Sequence, residues 1–176
     1  MSPPQRIVVV GSSGAGKSTF ARRLAAARGV PHVELDAHWH LPGWTTDLAA
    51  TRASVDAATA QPAWVLCGNY VALRDLVWPR ADAVVWLDYP LQRIFRQVTA
   101  RTIRRGLAGE VLWNGNRESL LAAFTSRESV IWWALSTHAS RRADLTQAVA
   151  DPANAHLQVF RVCTPRDAEA LLGRLS

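Results

Sequence analysis

Apolar and polar positions alternate along the chain in two rhythms. Short unbroken apolar runs, rich in β-branched and aromatic residues, recur at Ile7–Val10, Trp64–Cys67 and Ala83–Leu87. Such runs mark strands buried on both faces. Two further strands are predicted at Val33–Leu35 and Leu157–Val162. Longer stretches with helical spacing lie between them. The first carries Phe20, Leu24 and Ala27 on one face and stops at Gly29. The next runs from Ala49 to Ala60 and is closed by Pro62. Leu91–Arg105 reads as an Arg-rich amphipathic helix, 106–115 as a loop, Arg117–Arg142 as a long helical stretch and Pro165–Leu175 as the last helix. Strands alternating with helices imply an α/β domain, a parallel sheet of five strands covered on both faces in three layers. No repeat or linker interrupts it, so residues 1–176 are expected to form a single domain.

Composition narrows the classes. Hydrophobic residues make up 49% and charged residues 19%, which suits a sizeable core and argues against disorder. The apolar runs fall far short of the roughly 20 residues that span a bilayer. The first six residues lack a signal-peptide layout, and Cys67 and Cys163 form neither a disulfide framework nor a metal cluster. Both thiols are expected buried and reduced, in a cytoplasmic protein. Trp132 and Trp133, with Ile131 and Leu135, are expected in the core.

The net charge of +6 has an address. Arg93 to Arg142 holds nine Arg against Glu110, Glu118 and Glu128, which accounts for all of it. The only lysine is Lys17. A charge confined to one segment suits a local anionic ligand at least as well as a nucleic-acid track, and no aromatic–basic stacking motif supports the latter.

Gly11-Ser12-Ser13-Gly14-Ala15-Gly16-Lys17-Ser18 fits G-x-x-x-x-G-K-[ST] at every fixed position, after an apolar strand and at the start of a helix. That context defines a P-loop. Its backbone N–H groups cradle phosphate, and the helix N-terminus adds a positive dipole end. Lys17 is placed to reach the β- and γ-phosphates, Ser18 to ligate Mg²⁺, and Thr19 to serve the α-phosphate. ATP and Mg²⁺ are therefore the expected ligands. No lysine is left for an N-K-x-D guanine-reading motif, and the chain reads as too short for an AAA+ motor with its extra helical domain.

The chain resembles the small P-loop kinases that act on adenylate, shikimate or gluconate. It is similar in particular to bacterial adenylate-kinase-like topology modulation proteins. The likeness runs through Gly11–Thr19, Glu34-Leu35-Asp36 with Trp39, Trp64–Tyr70, Trp86–Pro90 and Trp113-Asn114-Gly115-Asn116-Arg117-Glu118. It implies a phosphotransferase, an acceptor-binding segment at about 37–62 and a helical lid at about 101–117.

The resemblance implies several site residues. Asp36, ending the second strand, would face acceptor and metal and take the acceptor's proton. Glu34 is assigned to the other face, with a structural role. Trp39, with His38, His40 and Trp44, would form an aromatic acceptor wall. Gly68 would let backbone approach a ligand, Asn69 would bond the acceptor, and Arg74 would clamp its anionic group. Adenylate kinases carry Asp where this chain has Cys67, which throws metal work onto Asp36 and Ser18, or onto Asp88. Asp88 otherwise terminates the fourth strand. Arg101 and Arg105, with Arg104 and Arg117, would be lid arginines on the transferred phosphoryl group. Arg141 and Arg142 read as lid support or solvent-facing. Thr164, Pro165 and Arg166 would pack the adenine edge. A second reading, an ATP-responsive regulator whose basic segment meets DNA or a protein, follows from the topology modulation likeness.

Overall fold

The computed structural model describes residues 3–108, 113–115 and 130–176. Five strands form one parallel sheet: β1 (Arg6–Gly11), β2 (His32–Glu34), β3 (Trp64–Cys67), β4 (Ala83–Leu87) and β5 (Gln158–Val162). Their order is β2-β3-β1-β4-β5, with β1 at the centre. Every pairing is parallel. Parallel neighbours need crossovers, and among the described residues these are made by α1 (Lys17–Arg28), α2 (Leu35–Trp39) with α3 (Leu48–Thr59), α4 (Val71–Val77), and α5 (Leu91–Ala108) with α6 (Val130–Ala150); α7 (Pro165–Leu175) follows the last strand.

The two-residue alternation of β1 separates two cores. Ile7 and Val9 join Phe20, Leu24, Val85, Ile94, Val98 and Leu171 on one face. Val8 and Val10 join Val55, Leu66, Leu73, Trp86 and Leu145 on the other. This is the three-layer arrangement of a P-loop NTPase. The carboxyl ends of all five strands point to one edge, where parallel sheets hold their ligands.

Several expectations shift. The second strand ends at Glu34, and Leu35 already begins a helix, so Asp36 sits in a first helical turn rather than at a strand end. The seven-residue α4 was not anticipated, because two turns are too short to show a helical period. The long helix continues eight residues beyond Arg142, to Ala150. Its expected start, with Asn116 and Arg117, lies outside the described residues.

Cys163 is exposed, not buried, because the chain leaves the edge strand after Val162 to cap α7. Trp132 and Trp133 are exposed as well. The buried positions of α6 include Ala134 and Leu145, one in each core, and both indoles lie off that buried stripe. Cys67 is buried, as expected.

Candidate active site

The P-loop closes at the centre of the ligand edge. Gly16 adopts a left-handed conformation at the N-cap of α1, so Lys17 and Ser18 open the helix. The Lys17 ammonium donates to the carbonyl of Ser12 at 3.1 Å, lying across its own loop. Burial lowers its pKa below the ordinary lysine value; the cations Arg141 and Arg101 push the same way and Asp36 opposes them. These charges therefore converge on the P-loop lysine from three other helices.

Gly14 explains how α5 reaches the site. A Cβ built there would stand 2.9 Å from Val98 Cβ and 3.3 Å from the Ile94 carbonyl. The missing side chain lets α5 seat directly on the loop. Arg101 and Arg105 follow Ile94 and Val98 at helical spacing, so they share the stripe of α5 that meets the P-loop. Arg104 is turned to solvent. Arg117 lies outside the described residues.

The carboxylate nearest the P-loop serine is Glu34, not Asp36. Ser18 Oγ donates to Glu34 Oε1 at 3.0 Å and stands 3.5 Å from Cys67 Sγ. Glu34 and Cys67 are register partners at the ends of β2 and β3. Burial raises the Glu34 pKa, and Asp36 adds to the rise; Ser18, Cys67 and Lys17 offset it. Burial and the Glu34 charge push the Cys67 thiol far up, so it stays protonated. The assignment of Glu34 to the opposite face is corrected. Residues two apart at a strand end point the same way, a signal that was available in Glu34-Leu35-Asp36.

Asp36 Oδ1 accepts a hydrogen bond from the Tyr70 hydroxyl at 2.5 Å. Trp39 stacks on the Tyr70 ring with centroids 4.4 Å apart, which occupies one indole face internally. His38 bonds Ser54 at 2.7 Å, and His40 lies edge-on to Trp44. At Gly68 the space that a Cβ would take is filled by Leu35, whose Cβ would be 2.7 Å away. The glycine thus serves the packing of β3 against α2 rather than a ligand's approach.

Arg74 is committed within the protein. Its guanidinium donates to both carboxylate oxygens of Asp144, at 2.6 and 3.2 Å, and to Asn69 Oδ1 at 3.2 Å. Asp88 is equally committed. Its buried carboxylate accepts from Arg161 at 2.5 and 2.9 Å and from Arg142 at 3.1 Å. It closes β4 and serves as a strut.

Both ion pairs tie down the turn of α6 that begins at Arg141. Burial lowers the Arg141 pKa, while Tyr70, Asp36 and Asp144 act to raise it. Its guanidinium lies 4.0 Å from the Trp133 ring centroid. Sequence reading left its role open, because the side chain's direction depends on how α6 docks. Asn114 belongs to the Trp113–Glu118 cluster that carries the likeness to the topology modulation proteins. Its amide donates to the carbonyls of Ala37 and His40, at 3.1 and 2.6 Å, joining the turn at 113–115 to α2.

Thr164, Pro165 and Arg166 open α7 at the same sheet edge. The Thr164 hydroxyl is the N-cap, accepting from the Asp167 N–H at 3.2 Å. Arg166 is exposed.

The family described as "AAA domain" matches residues 7–169. The chain belongs to this family. The matched AAA domain spans the whole sheet with its P-loop. No curated protein matches it. Among solved structures it is similar to the shikimate kinase from Acinetobacter baumannii in complex with shikimate: 16% identity, TM-score 0.57, covering 97% of this chain and 90% of that one. It is also similar to a gluconokinase from Sinorhizobium meliloti 1021: 21% identity, TM-score 0.52, covering 99% and 95%. A shikimate kinase from Bacteroides thetaiotaomicron shares the fold at 14% identity and TM-score 0.52, covering 98% and 96%. At these identities the likeness speaks to the fold of this AAA domain. No helix among the described residues is long and apolar enough to cross a membrane.

Proposed function

We propose that this AAA-domain protein is an ATP-dependent phosphotransferase that passes the γ-phosphoryl group to a hydroxyl or phosphate of a small-molecule or nucleotide acceptor. The observation that carries this reading is the convergence on the P-loop. The helix α5 seats on the loop at Gly14 and carries Arg101 on the same stripe, and the charges of Arg101, Arg141 and Asp36 all act on the buried Lys17. Three cations around one phosphate seat and one carboxylate beside it are what in-line transfer needs.

In the proposed reaction the acceptor hydroxyl gives its proton to Asp36. Its oxygen forms the new bond to the γ-phosphorus while the bond to the β,γ-bridging oxygen breaks, and ADP leaves. Lys17, Arg101, Arg105 and Arg141 stabilise the charge spread over the transferring oxygens. Guanidinium forks suit phosphate because they bind two oxygens at once.

Ser18 and Glu34 fit Mg²⁺: they are hard oxygen donors in hydrogen-bond contact beside the phosphate seat. Magnesium held there would supply positive charge to neutralise the phosphates. This gives Glu34 the metal work first expected of Asp36, and leaves Asp36 to the acceptor. Asn69, held by Arg74 through its Oδ1, keeps its amide N–H donors for the acceptor side. Thr164, Pro165 and Arg166 supply the adenine edge.

The acceptor segment at 37–62 and the lid at 101–117 remain the proposed divisions, and the cytoplasm the proposed compartment. Placement with the topology modulation proteins rests on Trp113–Glu118. The test is ADP release measured over nucleotides, nucleosides and polyol acids. A member of the panel should raise release at least tenfold over a Lys17→Ala background. Release at that background with every acceptor overturns the reading.

A further inference from the structure

We infer that Tyr70 is a positioning residue, which holds the Asp36 carboxylate with one oxygen tied and the other presented to the acceptor. This deepens the reading of Asp36 as the acceptor base and rests on it.

The placement of Tyr70 is fixed from four sides. Its hydroxyl donates to Asp36 Oδ1 at 2.5 Å. Its ring stacks on Trp39, three residues along the same short helix, with planes 17° apart. One aromatic ring therefore spans α2, touching its first turn through the hydroxyl and its last residue through the face. His40 Nε2 stands 3.4 Å from the same hydroxyl. The fourth side is the Gly68–Leu35 contact, which draws the end of β3 against the start of α2. Without that close approach Tyr70 would stand too far from Asp36 to bond it.

The chemistry follows from what each group can do. A carboxylate only accepts, and a phenol in its neutral form donates one proton. Burial and the Asp36 charge drive the Tyr70 pKa far above the ordinary phenol value; Glu34 adds to the rise and Arg141 opposes it. Tyr70 therefore keeps its proton at working pH and donates to Asp36 throughout. With Oδ1 tied, rotation of the carboxylate is arrested and Oδ2 is the oxygen free to take the acceptor's proton. Such fixing matters because catalysis tolerates little misplacement of a base.

A double-mutant cycle tests this with MgATP, using water as acceptor and then the best acceptor of the panel. Tyr70→Phe is expected to lower turnover about tenfold, with the KM for ATP within about twofold of wild type. In an Asp36→Asn chain the same substitution is expected to cost nothing further, because Tyr70 acts through Asp36. Undiminished turnover in Tyr70→Phe, or an equal loss in both backgrounds, overturns the positioning role alone. Wild-type turnover in Asp36→Asn overturns the base reading and the positioning role with it.

A second measurement needs no turnover. The chain has two tyrosines, so Tyr89→Phe leaves Tyr70 as the only source of tyrosinate absorbance. In that background Asp36→Asn should lower the pH at which Tyr70 ionises. An unchanged titration overturns the inference.

Discussion

Ser18 of the P-loop donates its hydroxyl to Glu34, the last residue of β2, at 3.0 Å. The residue that opens α1 and the residue that ends an outer strand are thus joined across β3. The contact needs a small neighbour at the end of β3, and Cys67 supplies it, with Sγ 3.5 Å from the same hydroxyl.

Glu34 is accordingly expected to set the magnesium requirement. Glu34→Ala should raise the Mg²⁺ concentration for half-maximal turnover by about 10- to 100-fold, the usual cost of losing a partner of a metal ligand. Binding of a fluorescent ATP analogue in EDTA should be unchanged. Steady-state titration of Mg²⁺ decides it.

The same carboxylate weakens the unliganded fold. Its pKa is raised in the folded chain by burial, with Asp36 adding to the rise. The unfolded chain then releases the proton first as pH climbs. Stability falls from about the ordinary glutamate value up to the folded one, and stays lower above both. Glu34→Gln keeps an acceptor for Ser18 and removes the charge. It should raise the melting temperature at neutral pH, and the gain should vanish below about pH 4.5. Thermal unfolding across pH without nucleotide gives the measurement.

Gly14 is predicted to be needed for both loop and lid helix. Gly14→Ala brings a Cβ within 2.9 Å of Val98 at a backbone φ of +85°. The left-handed strain alone costs on the order of 1–2 kcal/mol, and displacing Val98 carries Arg101 with it. Turnover should fall more than nucleotide affinity does. Val98→Ala keeps the Cβ at position 98 and should relieve nothing, whereas in a Val98→Gly background, which removes it, Gly14→Ala should cost less, the strain remaining. Chemical denaturation of the single and double variants separates the two costs.

Much of this was legible in the chain. The central strands are apolar runs with no alternative reading, and the P-loop motif pins the ligand edge. What escaped is instructive. Asp36 was placed at a strand end because a strand that stops one residue earlier redirects every side chain after it. Arg74 looked like a free clamp because its partner, Asp144, lies 70 residues away, on another helix. Asp88 was readable as a strut from its place at the end of β4, but its two arginines were not. Arg141 looked no different from Arg142 in the sequence, since adjacent helical residues diverge by about 100° and only docking decides which one faces the site. Local pattern predicts elements, whereas pairings across the sheet depend on which helices share its edge.

Asp88 is expected to matter for stability first. Its carboxylate is buried and holds Arg161 and Arg142, whose own side chains keep about half their surface open. Solvent on the arginine side moderates the loss, so Asp88→Asn should cost about 1–3 kcal/mol. That corresponds to a fall of several degrees in melting temperature for a domain of this size. Affinity for the ATP analogue with Mg²⁺ should stay within twofold, whereas a metal-bearing Asp88 would lose it. Calorimetry and fluorescence titration on one preparation give both numbers.

Arg141 is expected to carry the largest effect of any residue on α6. The two ion pairs that follow it on the helix, Arg142 with Asp88 and Asp144 with Arg74, fix this turn of α6. Its buried guanidinium is close enough to Lys17 and to Asp36 for charge to act between them, beside the proposed phosphate seat. Removing one charge-stabilising donor from such a place costs about 10²–10³-fold in turnover. Arg141→Met should fall in that range, while its melting temperature holds or rises, because a desolvated cation is replaced by an apolar chain of similar length. Arg141→Lys should recover only part of the rate: it restores the charge but not the planar fork, and an ammonium gives up its proton more readily when buried. A lysine variant with wild-type turnover would show that charge alone suffices at this position. A methionine variant with wild-type turnover would remove Arg141 from the site.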